Sequence, residues 1–378
     1  MKIKDILESV ITSKASDLHI KAGIPPIVRV DGKLRRMDYK SPTTADMESI
    51  AGQILTPQQK KIFMEEKEVD FAFGVPGLAR FRANFYVQRG SIAMVFRHVP
   101  VKIMSTEELK LPDIVKKLSH RKRGLIFVTG TVGSGKSTTL AAMVKEINDT
   151  TSKNVITIED PIEFLHHDKR SIINQREIGN DTKSFHEALR HILRQDPDII
   201  LVGEIRDAVT MEIALKAADT GHLVLSTLHT IDATQTINRV ISFFPLHQHQ
   251  EIRYLLATTL QAVISQRLIP LKGQKGRAPA VEVMVVTAAI RDYIKDPEKT
   301  QMINQAIKEG VSSYGMQSFD QSLMKLLTDG IIDKEQALKN SSNSHEFELR
   351  LKGVKSSSDN SWDHFEETES VSDSPGEL

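Results

Sequence analysis

The first hundred residues alternate between short segments of β-strand pattern and stretches of helical pattern. Apolar and polar residues alternate from residue 80 to residue 87, which predicts a strand with one buried face. The apolar segment 27–30 is followed by Asp31-Gly32, a dipeptide that is typical of tight hairpin turns. We therefore predict a small α+β domain over residues 1–100.

The pattern breaks between residues 101 and 123. Pro100 and Pro112 disfavour continuous elements there, and the basic sequence His-Arg-Lys-Arg follows at residues 120–123. This basic run has no interleaved aromatic residues, so solvated charges explain it better than a nucleic-acid patch. We predict a linker over residues 101–123.

From residue 124 onwards, apolar runs alternate with segments of helical periodicity. The apolar runs are 125–128, 155–158, 199–202, 223–226 and 281–286. Such alternation predicts a mostly parallel sheet covered by helices, which is an α/β fold. Residues 288–351 have a helical pattern throughout, so we predict an α/β domain with C-terminal helices over residues 124–352.

The last segment, residues 353–378, is rich in serine and acidic. It holds one lysine against seven aspartate and glutamate residues, a formal charge of −6. A segment with this charge and few apolar residues cannot bury a core, so we predict a disordered acidic tail.

Composition narrows the class of protein. A length of 378 residues predicts two domains, and 50 Lys and Arg against 49 Asp and Glu give no overall field that favours nucleic acid or anionic membranes. The chain has no cysteine, which excludes disulfides, thiolate nucleophiles and Cys-ligated metal sites. Asp5 and Glu8 interrupt the stretch that a signal peptide needs, and no apolar run reaches about 18 residues, so we predict a cytoplasmic protein.

Residues 130–137 carry the strongest chemical signal. They read Gly-Thr-Val-Gly-Ser-Gly-Lys-Ser, which fits the phosphate-binding pattern G-x-x-x-x-G-K-[ST], between an apolar strand and a helical stretch. Glycines let backbone N–H groups approach phosphate oxygens, and a helix N-terminus adds a favourable potential. Lys136 is expected to reach the β and γ phosphates, and Ser137 to bind Mg²⁺. A chance glycine-rich turn is the alternative, and the flanking strand and helix argue against it.

Nucleotide hydrolysis also needs a carboxylate near the metal and a group that orients water. Glu204 follows the third apolar run, and Glu159, Asp160 and Glu163 follow the second. The carboxyl ends of parallel strands share one edge of a sheet, so we expect these acids close to the glycine-rich segment. The alternative is that these acids are ordinary carboxylates in turns that point into solvent. The residues alone leave open which acid of the second group acts on water.

Two histidines and three arginines are weaker candidates. His222 and His229 flank the fourth apolar run, and their separation matches no metal-ligand spacing, so ordinary structural histidines are the default interpretation. Arg80, Arg82 and Arg97 lie on strand patterns of the first domain. Arginine suits phosphate contacts from another domain or subunit, and solvated arginines on a strand face are an equal alternative.

Four segments, in this order and spacing, resemble one known family: GTVGSGKS, ITIEDPIEF, RQDPDIILVGEIRD and TGHLVLSTLHT. They resemble the Walker A, Asp box, Walker B and His box of the secretion-superfamily hexameric ATPases. Within that superfamily the chain is similar to the retraction ATPases of bacterial type IV pili over about residues 1–350. The similarity includes SDLHI at residues 16–20, ARFRANF at 79–85 and NQREIG at 174–179.

The resemblance implies a RecA-like P-loop ATPase core preceded by a smaller PAS-like α+β domain. Six subunits would form a homo-hexameric ring that binds ATP and Mg²⁺ between the two domains. The nucleotide contacts that it implies are Gly130, Gly133, Ser134, Gly135, Lys136, Ser137, Thr138 and His222.

Catalytic roles follow from the same resemblance. Glu163 would polarise the attacking water, and Glu204 would support the magnesium site together with Ser137. Arg82 and Arg97 would contact phosphates when the domains close. His229 would sense nucleotide or hold the subunit interface, as would His222.

The implied function is a motor that hydrolyses ATP and powers pilus retraction, and hence twitching motility. It would act through the inner-membrane platform protein as a peripheral ring on the cytoplasmic side. Retraction is favoured over extension because the extension ATPases carry a four-cysteine zinc module, whereas this chain has no cysteine. The sequence AIRDYI at residues 289–294 also resembles the AIRNLI motif of the retraction family.

Three alternatives stay open. The acidic tail is similar to that of an accessory retraction ATPase, which would depend on a paralogous retraction ATPase. A nucleotide-controlled binding module would assemble on a partner without productive turnover. A DNA translocase is the third, and near-neutral charge with a single tryptophan argues against it, so we expect no nucleic-acid partner.

Overall fold

A computed structural model describes residues 2–30, 32–75, 77–99 and 102–353 of the chain. The acidic tail predicted from the sequence lies outside the described residues from position 354 onwards, so its disorder stays a prediction. The chain forms two compact units. The first runs to Lys102 and also takes in Pro161–Leu165 and Gly179–Asp181, and the second contains the rest.

The first unit is an antiparallel sheet with helices, which is the α+β fold expected from the sequence. Its helices are α1 (Ile3–Thr12), α2 (Thr44–Ile54) and α3 (Pro57–Glu66). Its strands are β1 (Asp17–Lys21), β2 (Ile27–Val30), β3 (Lys33–Arg36), β4 (Glu68–Val75), β5 (Ala79–Gln88) and β6 (Ser91–Val99). They lie in the order β3-β2-β1-β6-β5-β4, and every neighbouring pair is antiparallel.

The predicted hairpin and the predicted strand over residues 80–87 are both confirmed. Val30 of β2 pairs with Lys33 of β3, which leaves the two-residue turn at the predicted place. Along β5, Phe81 and Phe85 are fully buried, whereas Arg82 between them is only half-buried on the other face. Each buried phenylalanine stabilises the sheet by about 2–3 kcal/mol.

The second unit is built around a seven-stranded sheet. Its strands are β7 (Gly124–Thr129), β8 (Asn154–Glu159), β9 (Ile172–Glu177), β10 (Ile199–Val202), β11 (Leu223–Leu228), β12 (Leu260–Pro270) and β13 (Arg277–Val285). Its helices are α4 (Asp113–Ser119), α5 (Lys136–Thr150), α6 (Phe185–Ile192), α7 (Ala208–Asp219), α8 (Ala233–Ser242), α9 (His249–Thr259), α10 (Ala288–Lys295), α11 (Ile303–Glu309), α12 (Val311–Tyr314), α13 (Phe319–Thr328), α14 (Lys334–Asn340) and α15 (Ser344–Leu351). Two 3-10 helices, Leu246–Gln248 and Pro297–Met302, complete it.

The sheet has the order β13-β12-β7-β11-β10-β8-β9, and all its pairs are parallel except β12 with β13. The five predicted apolar runs all form strands, and the helical pattern after residue 288 is confirmed. Strands β9 and β12 are absent from the prediction. Strand β9 lies at the edge of the sheet with an exposed face, and β12 follows α9 without a polar break, so neither stands out as an isolated apolar run.

The segment predicted as a linker is largely part of the second unit. Helix α4 lies inside it, and Val115 and Leu118 of this helix are fully buried in the core of that unit. Pro112 is the N-cap residue and lies just outside the helix, so its missing N–H group removes no hydrogen bond from within α4. A proline was therefore wrongly interpreted as a break in structure.

Among the residues that the structure describes, no helix combines the length and the apolar character needed to span a bilayer.

One buried acid gives the second unit a testable pH dependence. Glu282 of β13 is buried, and its Oε1 atom accepts a hydrogen bond of 2.9 Å from the backbone N–H of Ala233 at the start of α8. Burial raises the pKa of Glu282 to about 7, the hydrogen bond from Ala233 opposes the rise, and the charge of Asp232 adds to it. Arg267 and Asp320 are the other charged groups that act on this carboxyl.

The folded chain binds this proton more tightly than the unfolded chain, in which the pKa is near 4.5. The free energy of unfolding should therefore fall by about 3 kcal/mol as pH rises from the unfolded pKa near 4.5 through the folded pKa of about 7. We expect Glu282→Gln to remove this contribution, measured by urea denaturation at about pH 5 and about pH 8. The exposed Glu251→Gln serves as the control, and an unchanged pH slope in Glu282→Gln contradicts the assignment.

Candidate functional site

The glycine-rich loop at residues 130–137 follows β7, a strand in which every residue is buried. Gly130, Gly133 and Gly135 have φ angles of 142°, 76° and 94°, which residues with a side chain rarely adopt. A Cβ atom at Gly130 would lie 2.5 Å from the carbonyl oxygen of Gln266 and 2.5 Å from the Oγ atom of Ser134. Only glycine fits at Gly130, so the loop can wrap tightly at the edge of the sheet.

Helix α5 begins directly at the end of this loop. Gly135 is its N-cap residue and Lys136 its first helical residue, so the free N–H groups of a 15-residue helix lie beside the loop. The Lys136 Nζ atom donates hydrogen bonds to the carbonyl oxygens of Gly130 at 2.9 Å and Thr131 at 3.0 Å. The ammonium group is thus held over the loop at which phosphate is expected.

Ser134 provides the clearest sign that the loop fits a ligand. Its side chain is only 3% exposed, and its Oγ atom has no hydrogen-bond partner within the described part of the chain. A buried hydroxyl without a partner costs about 1–3 kcal/mol. An acceptor such as a phosphate oxygen would satisfy it, so the residues present fit the phosphates of a nucleotide.

Glu204 and His229 come together at the same edge of the sheet. Glu204 follows β10, its side chain is 17% exposed, and His229 follows the adjacent parallel strand β11. The His229 Nε2 atom lies 3.3 Å from the Glu204 Oε2 atom, and Arg206 forms an ion pair with the same carboxylate. The sequence predicted the placement of Glu204, whereas Arg206 was missed although it lies within the quoted segment GEIRD.

Oxygen donors for a magnesium ion are present at this edge. Ser137 lies in the first turn of α5, and Glu204 follows β10. Hydroxyl and carboxylate oxygens suit Mg²⁺, which in nucleotide sites also takes ligands from phosphates and water. Over the described ranges, no group of three or more histidine or acidic side chains could hold a metal without such help.

The three acids after β8 differ in their surroundings. The Glu159 Oε1 atom accepts hydrogen bonds from the Thr157 Oγ1 atom at 2.7 Å and from the Gln175 Nε2 atom at 3.1 Å. Asp160 and Glu163 are exposed, and Glu163 lies on the short segment that belongs to the first unit. Glu159 is therefore engaged in holding β8 and β9, whereas the Asp160 and Glu163 carboxylates are open to solvent.

His222 is not brought to the glycine-rich loop of its own chain. It precedes β11 and contacts the carbonyl oxygen of Ala217 through its Nδ1 atom at 2.9 Å. The glycine-rich loop lies beyond the other end of the parallel strand β7, where Thr129 pairs with Leu228. Six strand residues separate the two edges by about 20 Å. His222 therefore does not contact a nucleotide bound to the loop of its own chain, and its expected role in sensing nucleotide or holding the subunit interface stays a prediction.

Arg82 and Arg97 are cross-strand neighbours on β5 and β6 of the first unit. The Arg97 Nε atom donates a 2.8 Å hydrogen bond to the Oδ1 atom of Asp17, and Arg29 lies 3.8 Å from the other carboxylate oxygen. Burial opposes ionisation of Asp17, but hydrogen bonds from Ser16 and Arg97 lower its pKa below the usual value. The Asp17 carboxylate therefore holds the guanidinium group of Arg97 in place. Sequence patterns did not reveal this role of Asp17.

Comparison with known proteins places the chain in a family. Residues 1–338 match the family model described as "Type II/IV secretion system protein". The chain is 47% identical over 337 residues to the "Type IV pilus retractation ATPase PilT" of Pseudomonas aeruginosa, covering 89% of this chain and 97% of that protein. It is 39% identical over 354 residues to the "Type IV pilus ATPase PilU" of the same organism, covering 93% and 92%.

A solved structure agrees in fold. The crystal structure of the pilus retraction motor PilT with bound ADP matches with a TM-score of 0.86 and 46% identity, over 92% of this chain and 99% of that one. The glycine-rich loop, the Glu204–His229 pair and these matches lead to the same conclusion. The chain belongs to the type II/IV secretion system protein family, as a homologue of the PilT ATPases.

Proposed function

We propose that this chain is the ATP-hydrolysing motor that retracts type IV pili and so supports twitching motility. The observation that carries the proposal is the glycine-rich loop with its buried, unpartnered Ser134 hydroxyl and its Lys136 ammonium. It occurs in a chain that is 47% identical to a pilus retraction ATPase over nearly its whole length. The chain is accordingly an ATPase, with ATP as its substrate.

Binding of ATP begins at the loop. The Lys136 ammonium exchanges the carbonyl oxygens of Gly130 and Thr131 for the β and γ phosphates, and the N-terminus of α5 stabilises their charge. Gly133, Ser134, Gly135 and Thr138 complete the phosphate contacts. Ser137 and Glu204 would hold Mg²⁺, which supplies charge neutralisation of the phosphates.

Hydrolysis is an in-line displacement at the γ phosphorus. Glu163 orients a water molecule and accepts its proton, the new bond forms between the water oxygen and phosphorus, and the bond to the β-phosphate oxygen breaks. ADP and inorganic phosphate are the products. His229 contacts the Glu204 carboxylate and positions it. This contact connects the segment after β10 with the segment after β11.

The arginines of the first unit complete the proposed cycle. Arg82 and Arg97 contact phosphate oxygens when the units close on the nucleotide, since guanidinium groups bind phosphate well and retain their charge. Before the units close, the hydrogen bond to Asp17 holds the Arg97 side chain in place. Closure and reopening then convert hydrolysis into movement.

The motor is proposed to act as a homo-hexameric ring at the cytoplasmic face of the inner membrane. Its partner there is the inner-membrane platform protein of the pilus, and a paralogous retraction ATPase is a second partner. The PilU relative supports an accessory role as the alternative function, because the chain is 39% identical to it over 93% of its length. An accessory motor would need its paralogue in order to retract a pilus.

The choice of catalytic base can be tested by matched substitutions. We expect Glu163→Gln to lower kcat by about 10²–10⁴-fold while nucleotide binding is kept, because the amide cannot accept the proton. Glu159→Gln should lower kcat less than about tenfold, since its carboxylate already serves Thr157 and Gln175. Steady-state phosphate release and binding of a fluorescent ATP analogue measure the two effects. The reverse order of effects would assign the base to Glu159.

The direction of action can be tested in the native host by imaging labelled pili. In cells that carry Glu204→Gln, we expect pili that extend but no longer retract, because the magnesium-side carboxylate is lost. Glu251→Gln, an exposed acid on α9, is the control and should retract normally. Retraction that persists until a paralogue is removed supports the accessory role, and failure to extend pili contradicts the proposal.

A further inference from the structure

An open groove with a volume of about 850 Å³ lies in the second unit, away from the glycine-rich loop. One wall is formed by residues 110–117 and Arg121, near the beginning of this unit. The opposite wall is formed by α12, by part of α13 and by β13. The lining is mixed: Ile114 and Ile331 are its partly exposed apolar side chains, Leu111, Val281, Val285 and Leu326 lie beneath them almost fully buried, and the other uncharged lining residues are largely serine, glutamine and tyrosine. The volume lies in the range of pockets that bury a ligand.

The rim of the groove is basic. Lys110, Lys117, Arg121 and Lys325 line it, and all four are exposed. None of them forms an ion pair with another residue in the described part of the chain, and only two carboxylates, Asp113 and Asp329, lie among the lining residues. A mixed lining with apolar side chains at its base and cations without ion-pair partners around it suits an acidic peptide that also carries large apolar side chains.

The last 25 residues of the same chain, positions 354–378, contain such a peptide. The sequence Asp-Asn-Ser-Trp-Asp-His-Phe-Glu-Glu-Thr-Glu at residues 359–369 places Trp362 and Phe365 among five acidic residues. Trp362 is the single tryptophan of the chain. Aromatic side chains are the usual anchors of peptides in grooves, because they bury much surface at little entropic cost.

The groove is within reach of this segment. Helix α15, which precedes the segment, ends at Leu351, and Leu351 packs on the same apolar cluster as the groove residues Val311 and Ile331. At the start of α15, Glu346 lies 3.5 Å from Lys308, which lies just before α12. Eight residues lie between Gly353 and Trp362, and the nine Cα–Cα steps allow about 30 Å of extended chain.

We propose that residues 359–369 dock into this groove of their own chain. Trp362 and Phe365 contact the apolar side chains at the base of the groove, and the flanking carboxylates pair with the basic rim at Lys110, Lys117, Arg121 and Lys325. A segment that is too acidic to fold alone gains structure when such a surface covers its apolar residues. The docked segment would join the beginning of the second unit to its C-terminal helices, and so restrain both.

The fluorescence of Trp362, the single tryptophan of the chain, reports docking in the full-length protein. We expect Trp362 to emit at shorter wavelength and to be quenched less by acrylamide than in the free peptide 354–378. Lys117→Glu/Lys325→Glu should shift emission and quenching to the values of the free peptide. Lys334→Glu/Lys339→Glu, which makes the same charge change at exposed positions of α14 outside the groove, is the matched control and should keep wild-type values.

Three results would overturn the proposal. Wild-type emission equal to that of the free peptide means that the segment does not dock. A shift that survives Lys117→Glu/Lys325→Glu, with unchanged circular dichroism, places the segment elsewhere. A shift that disappears on dilution means that it docks on another copy of the chain. A shift that is lost only in the groove variant, at every protein concentration, supports docking within one chain, and none of these readouts depends on ATP turnover.

Discussion

The parallel pairing of β8, β10, β11 and β7 is the constraint on which the candidate site depends. Because these strands run in one direction, the residues that follow them all meet at one edge of the sheet. Hydroxyl groups strengthen that edge. The Ser226 Oγ atom donates to the carbonyl oxygen of Val202, and the Thr227 Oγ1 atom to that of Gly203, both at 2.7 Å. These two hydrogen bonds therefore join Val202 and Gly203, which directly precede Glu204, to β11.

The glycine-rich loop adds a second constraint, which is steric. The carbonyl oxygen of Gln266 on β12 comes so close to Gly130 that any side chain there would clash. The Gln266 Nε2 atom also donates to the Thr139 Oγ1 atom of α5 at 2.8 Å. Strand β12 thus positions both the loop and the helix that follows it. Among the described residues the buried Ser134 hydroxyl has no hydrogen-bond partner, which costs free energy that a phosphate oxygen of the proposed nucleotide would recover.

Local patterns predicted the loop, the parallel strands and the position of Glu204, because each depends on residues close in sequence and on the shared edge of the strands. Contacts across long sequence distances were out of reach, such as the bond from Arg97 to Asp17. The helix at Asp113–Ser119 was missed because Pro112 was taken as a break.

We propose that this edge of the sheet hydrolyses nucleotide and that Lys136 is essential to the reaction. The most direct measurement is phosphate release from ATP by the purified chain and by Lys136→Ala, prepared identically and compared at saturating ATP. We expect steady release by the wild-type chain and none above background by the variant, since the ammonium proposed to bind the β and γ phosphates is lost. Equal release by the two proteins would contradict it.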